Sequence, residues 1–418
     1  MAPAVSRPRQ PHRTALRILL VATGLAVLGG PASPGSVAAG LKPAATSRLV
    51  TADRPGLAAR LQRVVDAARI EFGMPGVSVA VRFPDGTSWA GVSGLADVKG
   101  AVPVTPETPF ALASISKPFL AGVVMGLVED GTLHLSDSVA RLLPGVKLGS
   151  RAIDPRITVR QLLDHTSGLR DYLTSAGLDR AVLAAPSAHW SIERALRYVG
   201  KPVAAPGTRF YYSNTNYVLL GLIVERSTGT SIVQELHDRW IDPLGLTSAI
   251  YQGFDQPRTT PAIAYRFSSG LTTAIPIDIT DGSDVRPFTA ITTASGPAGS
   301  LMASASDTAR WLEALVRAEM LRPLTVARMI GDAHRLTAVD PRAPYGLGLQ
   351  VYTIGGHPSV GHSGRFLGER SVVRYFPEAG VTIAVLTNQS RTNPAIVLTR
   401  LLDVLLWSRS LPRHLVAL

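Results

Sequence analysis

Ala113-Ser114-Ile115-Ser116-Lys117-Pro118-Phe119-Leu120 sets a serine three residues before a lysine at the head of an apolar run. Residues three apart on a helix are neighbours, so the spacing predicts Ser114 at the start of a buried helix with Lys117 one turn on. A serine hydroxyl becomes a nucleophile when a base takes its proton. A lysine can be that base once desolvation or a like charge lowers its pKa, whereas an arginine stays protonated. Only five of the 42 basic residues are lysines, and Lys117 alone among them has a serine three positions earlier. Pro118 has no N–H for the Ser114 carbonyl four residues back. The helix start is therefore expected to be irregular where the nucleophile sits.

Working outward, residues 116–129 read as a helix burying Phe119, Leu120, Val123, Val124 and Leu127 and stopped by Asp130-Gly131. Upstream, Leu57, Leu61, Val64, Val65, Ala68 and Phe72 recur at helical spacing up to Gly73. Val77, Val79, Val81 and Phe83 then alternate, and Asp85-Gly86 turns the chain into a second strand near 87–94. From about 132 to 290 helical signals dominate. Thr158 caps a helix closed by Ser167-Gly168, another runs through Val218 to Gly229, and Ser231 caps a third through Trp240. Sheet signals return late. Ser306-Asp307 opens a helix, Leu347, Leu349 and Val351 alternate, and 371–376 with 381–386 form a hairpin around Glu378-Ala379-Gly380. Asn393-Pro394 caps a last helix. The expected class is α+β, an α/β sandwich: an antiparallel sheet, built from both ends of the chain and flanked by helices, with an inserted all-helical subdomain. Such an insertion leaves a cleft at the junction.

The 418 residues are 46% hydrophobic and contain no cysteine, so disulfides and thiol chemistry are excluded. Residues 1–39 read as a secretory signal peptide: four arginines and no acid precede or flank the apolar run 18–28, with small residues after it. That predicts a secreted, extracytoplasmic protein with no stable membrane span after cleavage, an uncleaved anchor being the alternative. Residues 40–55 read as a linker, 56–406 as the folded domain and 407–418 as a tail. The formal charge is +12. It suits an anionic surface such as a cell envelope. The arginines are scattered and no nucleic-acid module is present, so nucleic acid is not expected as a partner.

Two further stretches carry chemistry: Tyr212-Ser213-Asn214 on a loop before a helix, and His362-Ser363-Gly364 on a late strand. With Ser114-Ile115-Ser116-Lys117 they match in order and spacing the S-x-x-K, Y-x-N and H-[ST]-G elements of the penicillin-recognising serine hydrolases. The chain resembles the class C β-lactamases and the related D-alanyl-D-alanine carboxypeptidases and esterases. Residues 157–169, 206–214, 298–301 and 345–349 resemble the same family. The resemblance covers about 56–406 and implies a β-lactamase/transpeptidase-like fold.

It further implies that Ser114 forms an acyl-enzyme and that Lys117 and Tyr212 handle protons; either a neutral lysine or a tyrosinate can be the base. Asn214 would hold Lys117 and a substrate amide. His362, Ser363, Gly364 and Arg365 would bind substrate, Gly364 letting it lie against the strand and the Arg365 N–H completing an oxyanion hole with that of Ser114. Lys-Thr-Gly in class C enzymes is here His362-Ser363-Gly364, a partly charged histidine replacing a lysine. Carboxypeptidases can carry an arginine after the Gly-Leu-Gly-Leu segment; here that position is Gln350. Implied substrates are a small peptide, a β-lactam or an ester, with cell-wall peptidoglycan as the larger partner. No cofactor and no metal are expected, because His357 and His362 are badly spaced for ligation on a strand. His165 is read as a brace at a helix end. A catalytically weak envelope-binding protein is the non-enzymatic alternative, but binding needs no lysine beside a serine.

Overall fold

The computed structural model describes residues 56–267, 275–339 and 344–410. The signal-peptide and linker readings, and residues 411–418 of the tail, lie outside them. The chain opens with helix α1 (Leu57–Glu71) and strands β1 (Gly76–Arg82), β2 (Ser88–Asp97) and β3 (Val102–Pro103). Helices α2 (Ser116–Glu129), α3 (Asn214–Thr228) and α4 (Ala305–Val316) follow, with shorter elements between. A 17-residue helix (Pro323–Val339), strands β4 (Gln350–Ile354), β5 (His357–Phe366), β6 (Glu369–Phe376), β7 (Val381–Thr387) and helix α5 (Ala395–Ser410) complete it.

The seven strands form one sheet in the order β4-β5-β6-β7-β1-β2-β3. Both chain ends meet where β1 pairs antiparallel with β7, from Val77 opposite Thr387 to Arg82 opposite Thr382. Period-two alternation divides the side chains between two faces. Val77, Val79 and Val81, with Ile383 and Val385, pack against Leu61 and Val65 of α1 and Leu398, Leu401 and Leu402 of α5. Ala80, Val373, Ala384 and Leu386 face the opposite way, into the core shared with α2 and α4. Both faces are thus covered. Each fully buried Val or Leu contributes roughly 1.5–3 kcal/mol, which suits a chain with no disulfide.

Helix α2 is the centre of the second core. Every residue from Ala111 to Leu127 is buried except Ser114. A helix apolar on all sides belongs inside a protein rather than on its surface. Phe119 stacks on Trp311 of α4 at 3.7 Å between centroids. Between 132 and 290, short strands (Lys147–Leu148 with Arg151–Ala152, Ile250–Tyr251, Tyr265–Phe267 with Pro276–Asp278) interrupt the helices. Among the described residues no helix is long and apolar enough to cross a membrane.

Several boundaries differ from the sequence reading. The Thr158 helix has the expected cap, but ends at Leu163 because His165 turns into the left-handed region at φ 61°. The cap of α4 is Ser304, whose side chain accepts from Asp307 N–H, two residues before the expected Ser306. The helix after Ser231 gives way at His237 to a wider five-residue turn ending at Ile241. The alternation of Leu347 and Leu349 precedes the strand, which begins only at Gln350.

Candidate active site

Ser114 lies in a 3-10 turn (Ala113–Ile115) that runs into α2, the irregular start expected from Pro118. A short strand, Phe110–Ala111, delivers it, pairing with Leu301–Ala303. Ser116 locks the turn: its hydroxyl donates to Ala113 O at 2.7 Å and accepts from Leu301 N–H at 3.0 Å. Ala113 has φ 50°, a backbone strain of about 1 kcal/mol or more held at the nucleophile.

Lys117 is fully buried. Its Nζ donates to Asn214 Oδ1 at 2.7 Å, Ala298 O at 2.7 Å and Ser114 Oγ at 3.0 Å. Burial pushes its pKa down from 10.5 to about 7, against an upward pull from Asp171. Two of the three acceptors are carbonyl oxygens, which can only accept. When Lys117 loses a proton, its two remaining N–H bonds stay with those carbonyls. The lone pair then faces Ser114 Oγ, the direction a base needs.

Asn214, first residue of α3, passes its amide to Asp171, donating from Nδ2 to Oδ2 at 2.7 Å. One of its two amide hydrogens is therefore committed inside the protein, which narrows the substrate contact expected of it. Asp171 is itself buried, and burial raises its carboxyl above the usual range although Leu173 N–H and Asn214 bond to it. Tyr212 stands on the other side of Lys117, whose Nζ is 5.1 Å from its ring centroid. Burial, reinforced by Tyr345, lifts the phenol well above its ordinary pKa, while a hydrogen bond with Ser114 pulls it back. The half-buried ring keeps some access to the cleft. A resting tyrosinate is disfavoured.

His165 does more than brace a helix end. Its Nδ1 accepts from Ser213 N–H at 3.2 Å and Asn216 Nδ2 at 3.1 Å, so Nε2 carries the proton, and that buried N–H has no partner. The imidazole lies 4.2 Å from the Tyr212 ring. It fixes both the loop and the ring.

His362 corrects an expectation. It is buried rather than solvated. Nδ1 donates to Ser363 O at 2.7 Å and Nε2 accepts from Tyr345 O–H at 3.1 Å. Burial first, then Lys117, push its pKa well down, so it stands neutral and offers substrate no cation. Gly364 has a further, structural reason to be glycine. A Cβ there would lie 2.1 Å from Leu112 O, 2.2 Å from Ser371 Oγ and 3.2 Å from Ala113 Cβ. The missing side chain admits the nucleophile's own segment. Ser363 bonds to Gln350, and Arg365 is exposed on the outer face of β5. The structure thus gathers Ser114, Lys117, Tyr212, Asn214 and His362, and sets Ser363, Gly364 and Arg365 along the adjoining strand. Sequence reasoning gave no role to Asp171, to the Ala298 carbonyl or to Tyr345.

The sequence profile of the family described as Beta-lactamase matches residues 61–405. Penicillin-binding protein 4 of Amycolatopsis lactamdurans is 31% identical over 340 residues, covering 79% of this chain and 85% of that protein. Among solved structures, a D-stereospecific amidohydrolase from Streptomyces sp. superposes with TM-score 0.68 at 25% identity, over 82% of this chain and 97% of that one. The D-amino acid amidase of Ochrobactrum anthropi SV3 gives TM-score 0.70 at 23% identity, over 84% and 99%, a likeness of fold. With the profile spanning nearly all of the described chain, this protein belongs to the beta-lactamase family, serine hydrolases sharing the fold of β-lactamases and penicillin-binding proteins.

Proposed function

We propose that the chain is a secreted acyl-serine amide hydrolase of the D-alanyl-D-alanine carboxypeptidase type. The observation that carries this is the three-way clamp on a buried Lys117, which aims one nitrogen position at Ser114 Oγ. Neutral Lys117 takes the Ser114 proton as Oγ bonds to the substrate carbonyl carbon. The oxygen becomes an oxyanion held by the backbone N–H groups of Ser114 and Arg365. Collapse breaks the C–N bond, and the leaving nitrogen takes a proton from the Tyr212 hydroxyl, which Lys117 restores. Water then attacks the acyl-enzyme by the reverse proton path.

With its pKa raised, Tyr212 serves as proton carrier and Lys117 as resting base. The likeness to a penicillin-binding protein and to an enzyme described as a D-stereospecific amidohydrolase supports amide carbonyls as substrates. The test is the intact mass of the protein after exposure to a penicillin, beside Ser114→Ala. An adduct lost in the variant is the expected result. No adduct with the drug intact would overturn the reading; no adduct with the drug consumed would replace it by a β-lactamase.

A further inference from the structure

One buried acid beside the site takes no part in the chemistry above. Glu369, the first residue of β6, is buried and stands opposite Phe366 at the closing end of the β5–β6 hairpin. Its Oε1 accepts from Ala111 N–H at 3.2 Å, and its Oε2 has no partner. Among the described residues no ion pair reaches it. Burial lifts its carboxyl from 4.5 to about 8, against the pull of Ala111 N–H and the charge of Arg286. Glu369 is therefore protonated at pH 7, with the proton on Oε2.

What Glu369 holds is the segment that delivers the nucleophile. Alternate residues of a strand share a face, and Glu369 and Ser371 both turn to that segment. Glu369 takes the Ala111 N–H, and Ser371 Oγ donates to Leu112 O at 2.8 Å. On its other side Leu112 N–H donates to Leu301 O at 2.9 Å. Ser114 follows two residues later, past the left-handed turn at Ala113. The partner strand of the hairpin, β5, carries Gly364 and the Arg365 N–H assigned above to the oxyanion. Nucleophile and oxyanion donor are thus fastened to each other by two side-chain bonds from β6. Of the two, only the bond from Glu369 titrates near neutral pH.

The joint makes no provision for a charge. A buried carboxylate needs a cation or several donors, and this one has a single N–H. The cation that acts on it, Arg286, spends Nε on Ala262 O at 3.0 Å, Nη2 on Pro261 O at 3.4 Å and Nη1 on Ser283 O. Arg286 also answers to Asp278, Asp281 and Asp284. Tyr265, from the neighbouring segment, turns its hydroxyl to Asp97 and is held up to about 12. On β5 the same face carries Phe366, Gly364 and neutral His362, while Arg365 and Arg370 oppose each other on the other face. Strands Phe110–Ala111 and Leu301–Ala303 bring no titratable group. A charge at Glu369 is relieved by drawing Arg286 off its carbonyls or water into the joint. Either pulls the carboxylate away from Ala111 and lets the Ser114 turn shift against β5. A misplacement on the order of 1 Å costs about a hundredfold in rate.

We propose that Glu369 is a positioning residue whose protonated side chain locks the nucleophile's strand to the oxyanion hairpin, and whose loss of that proton in alkaline solution unlocks the joint and stops acylation. The proposal rests on the acyl-serine reading above and adds a control to the same site. Lys117 by itself gives a rate that rises with pH and levels; Glu369 adds a descending limb above about pH 8. The site works in the window where both buried groups are neutral.

The test is the rate of acyl-enzyme formation with a chromogenic β-lactam, followed by stopped-flow from pH 6 to 9.5, on the purified protein and on Glu369→Gln. Glutamine keeps the size and an acceptor for Ala111 N–H but does not ionise. In the parent the rate falls roughly tenfold per pH unit above about 8. It returns when the pH is brought back to 7.5, with circular dichroism unchanged throughout. In Glu369→Gln that fall disappears while the acid limb set by Lys117 stays in place. Arg286→Met removes the cation that favours ionisation and moves the fall to higher pH. Stability adds a measurement independent of turnover. The folded carboxyl titrates near 8 and the unfolded one near 4.5. The fold therefore holds more protons between those values, and stability falls as pH rises through that window. The parent's melting temperature accordingly drops relative to that of Glu369→Gln between pH 4.5 and 8. A parent rate with no fall up to pH 9.5 would overturn the proposal whether or not the variants fold, and so would a fall that Glu369→Gln retains. Acylation at no pH, or acylation that survives Ser114→Ala, would sink the acyl-serine reading itself and this proposal with it.

Discussion

Replacing Asp171 by asparagine tests whether Lys117 is the titrating base. Asp171 is the carboxylate that pulls the Lys117 pKa up against burial. The link runs from Lys117 Nζ to Asn214 Oδ1 at 2.7 Å and from Asn214 Nδ2 to Asp171 Oδ2 at 2.7 Å. With one amide group between them, the charges stand roughly 7 Å apart. At an effective dielectric constant of about 20 their attraction is about 2 kcal/mol, or roughly 1.5 pH units. Only neutral Lys117 can accept the Ser114 proton, so the acylation rate rises with pH through its pKa and then levels. In the parent this limb lies near pH 7. Removing the negative charge lowers the pKa and carries the plateau to lower pH, by up to about 1.5 pH units. The assay is the rate of acyl-enzyme formation, followed by stopped-flow with a chromogenic β-lactam from pH 4.5 to 9. The Asp171→Asn change also sets an amide N–H against Asn214 or Leu173, so a stability loss of about 1–3 kcal/mol accompanies the shift; thermal melts confine the assay to folded protein. An acid limb that stays at its parental position, or moves upward, would refute the assignment of Lys117 as base.

Lys117→Arg keeps the charge and cannot deprotonate; the variant folds by circular dichroism but yields no penicillin adduct in intact mass, and normal acylation would refute the role. Gly364→Ala places a methyl 2.1 Å from Leu112 O. It forces β5 off the nucleophile's turn, lowering the melting temperature by several degrees and the acylation rate at least tenfold. His165→Ala removes the acceptor for Ser213 N–H and Asn216 and leaves a void under Tyr212. It loses about 2–4 kcal/mol in urea unfolding and slows acylation without moving its pH limb. His165→Asn, which tolerates the left-handed backbone and keeps an acceptor, restores part of both.

What was legible in the sequence follows from how far each interaction reaches. The Ser114–Lys117 pair is local, three residues on one helical turn, and Pro118 announced the irregular start in the chain itself. The hairpin of β1 and β2 and the alternation of Val77, Val79 and Val81 are also local, so the sheet could be read. The link from Asn214 to Asp171 joins residues 43 apart, and no spacing rule reports such a pair. The third acceptor of Lys117 is a backbone carbonyl at Ala298, which carries no side-chain signal at all. Glu369 was hidden differently: in a chain with 30 acidic residues, one of them draws no notice until its burial and unpartnered Oε2 are seen. His362 was misread because its charge depends on burial in the strand and on the nearby Lys117, both properties of the fold. The opening of α4 slipped from Ser304 to Ser306 because both are serines, and only the bond to Asp307 N–H distinguishes them.

The same desolvation ties the chemistry to stability. Lys117 in the unfolded chain titrates near 10.5 and in the fold near 7. Between those values the unfolded state binds more protons, so stability rises with pH through that window and is lost as pH falls toward 7, below which the full cost persists. For a shift of this size the cost is on the order of several kcal/mol. A surface helix could neither hold such a group nor lower its pKa. Helix α2 can, because its remaining faces bury Phe119, Leu120, Val123, Val124 and Leu127 against the surrounding helices, and a few such residues offset a loss of that size. The tight packing also keeps water from the amine, which is what brings its pKa down into the working range. Placing the nucleophile at the head of a deeply buried helix is therefore one physical solution to two demands: a base that is neutral near pH 7, and a fold that tolerates it without disulfides.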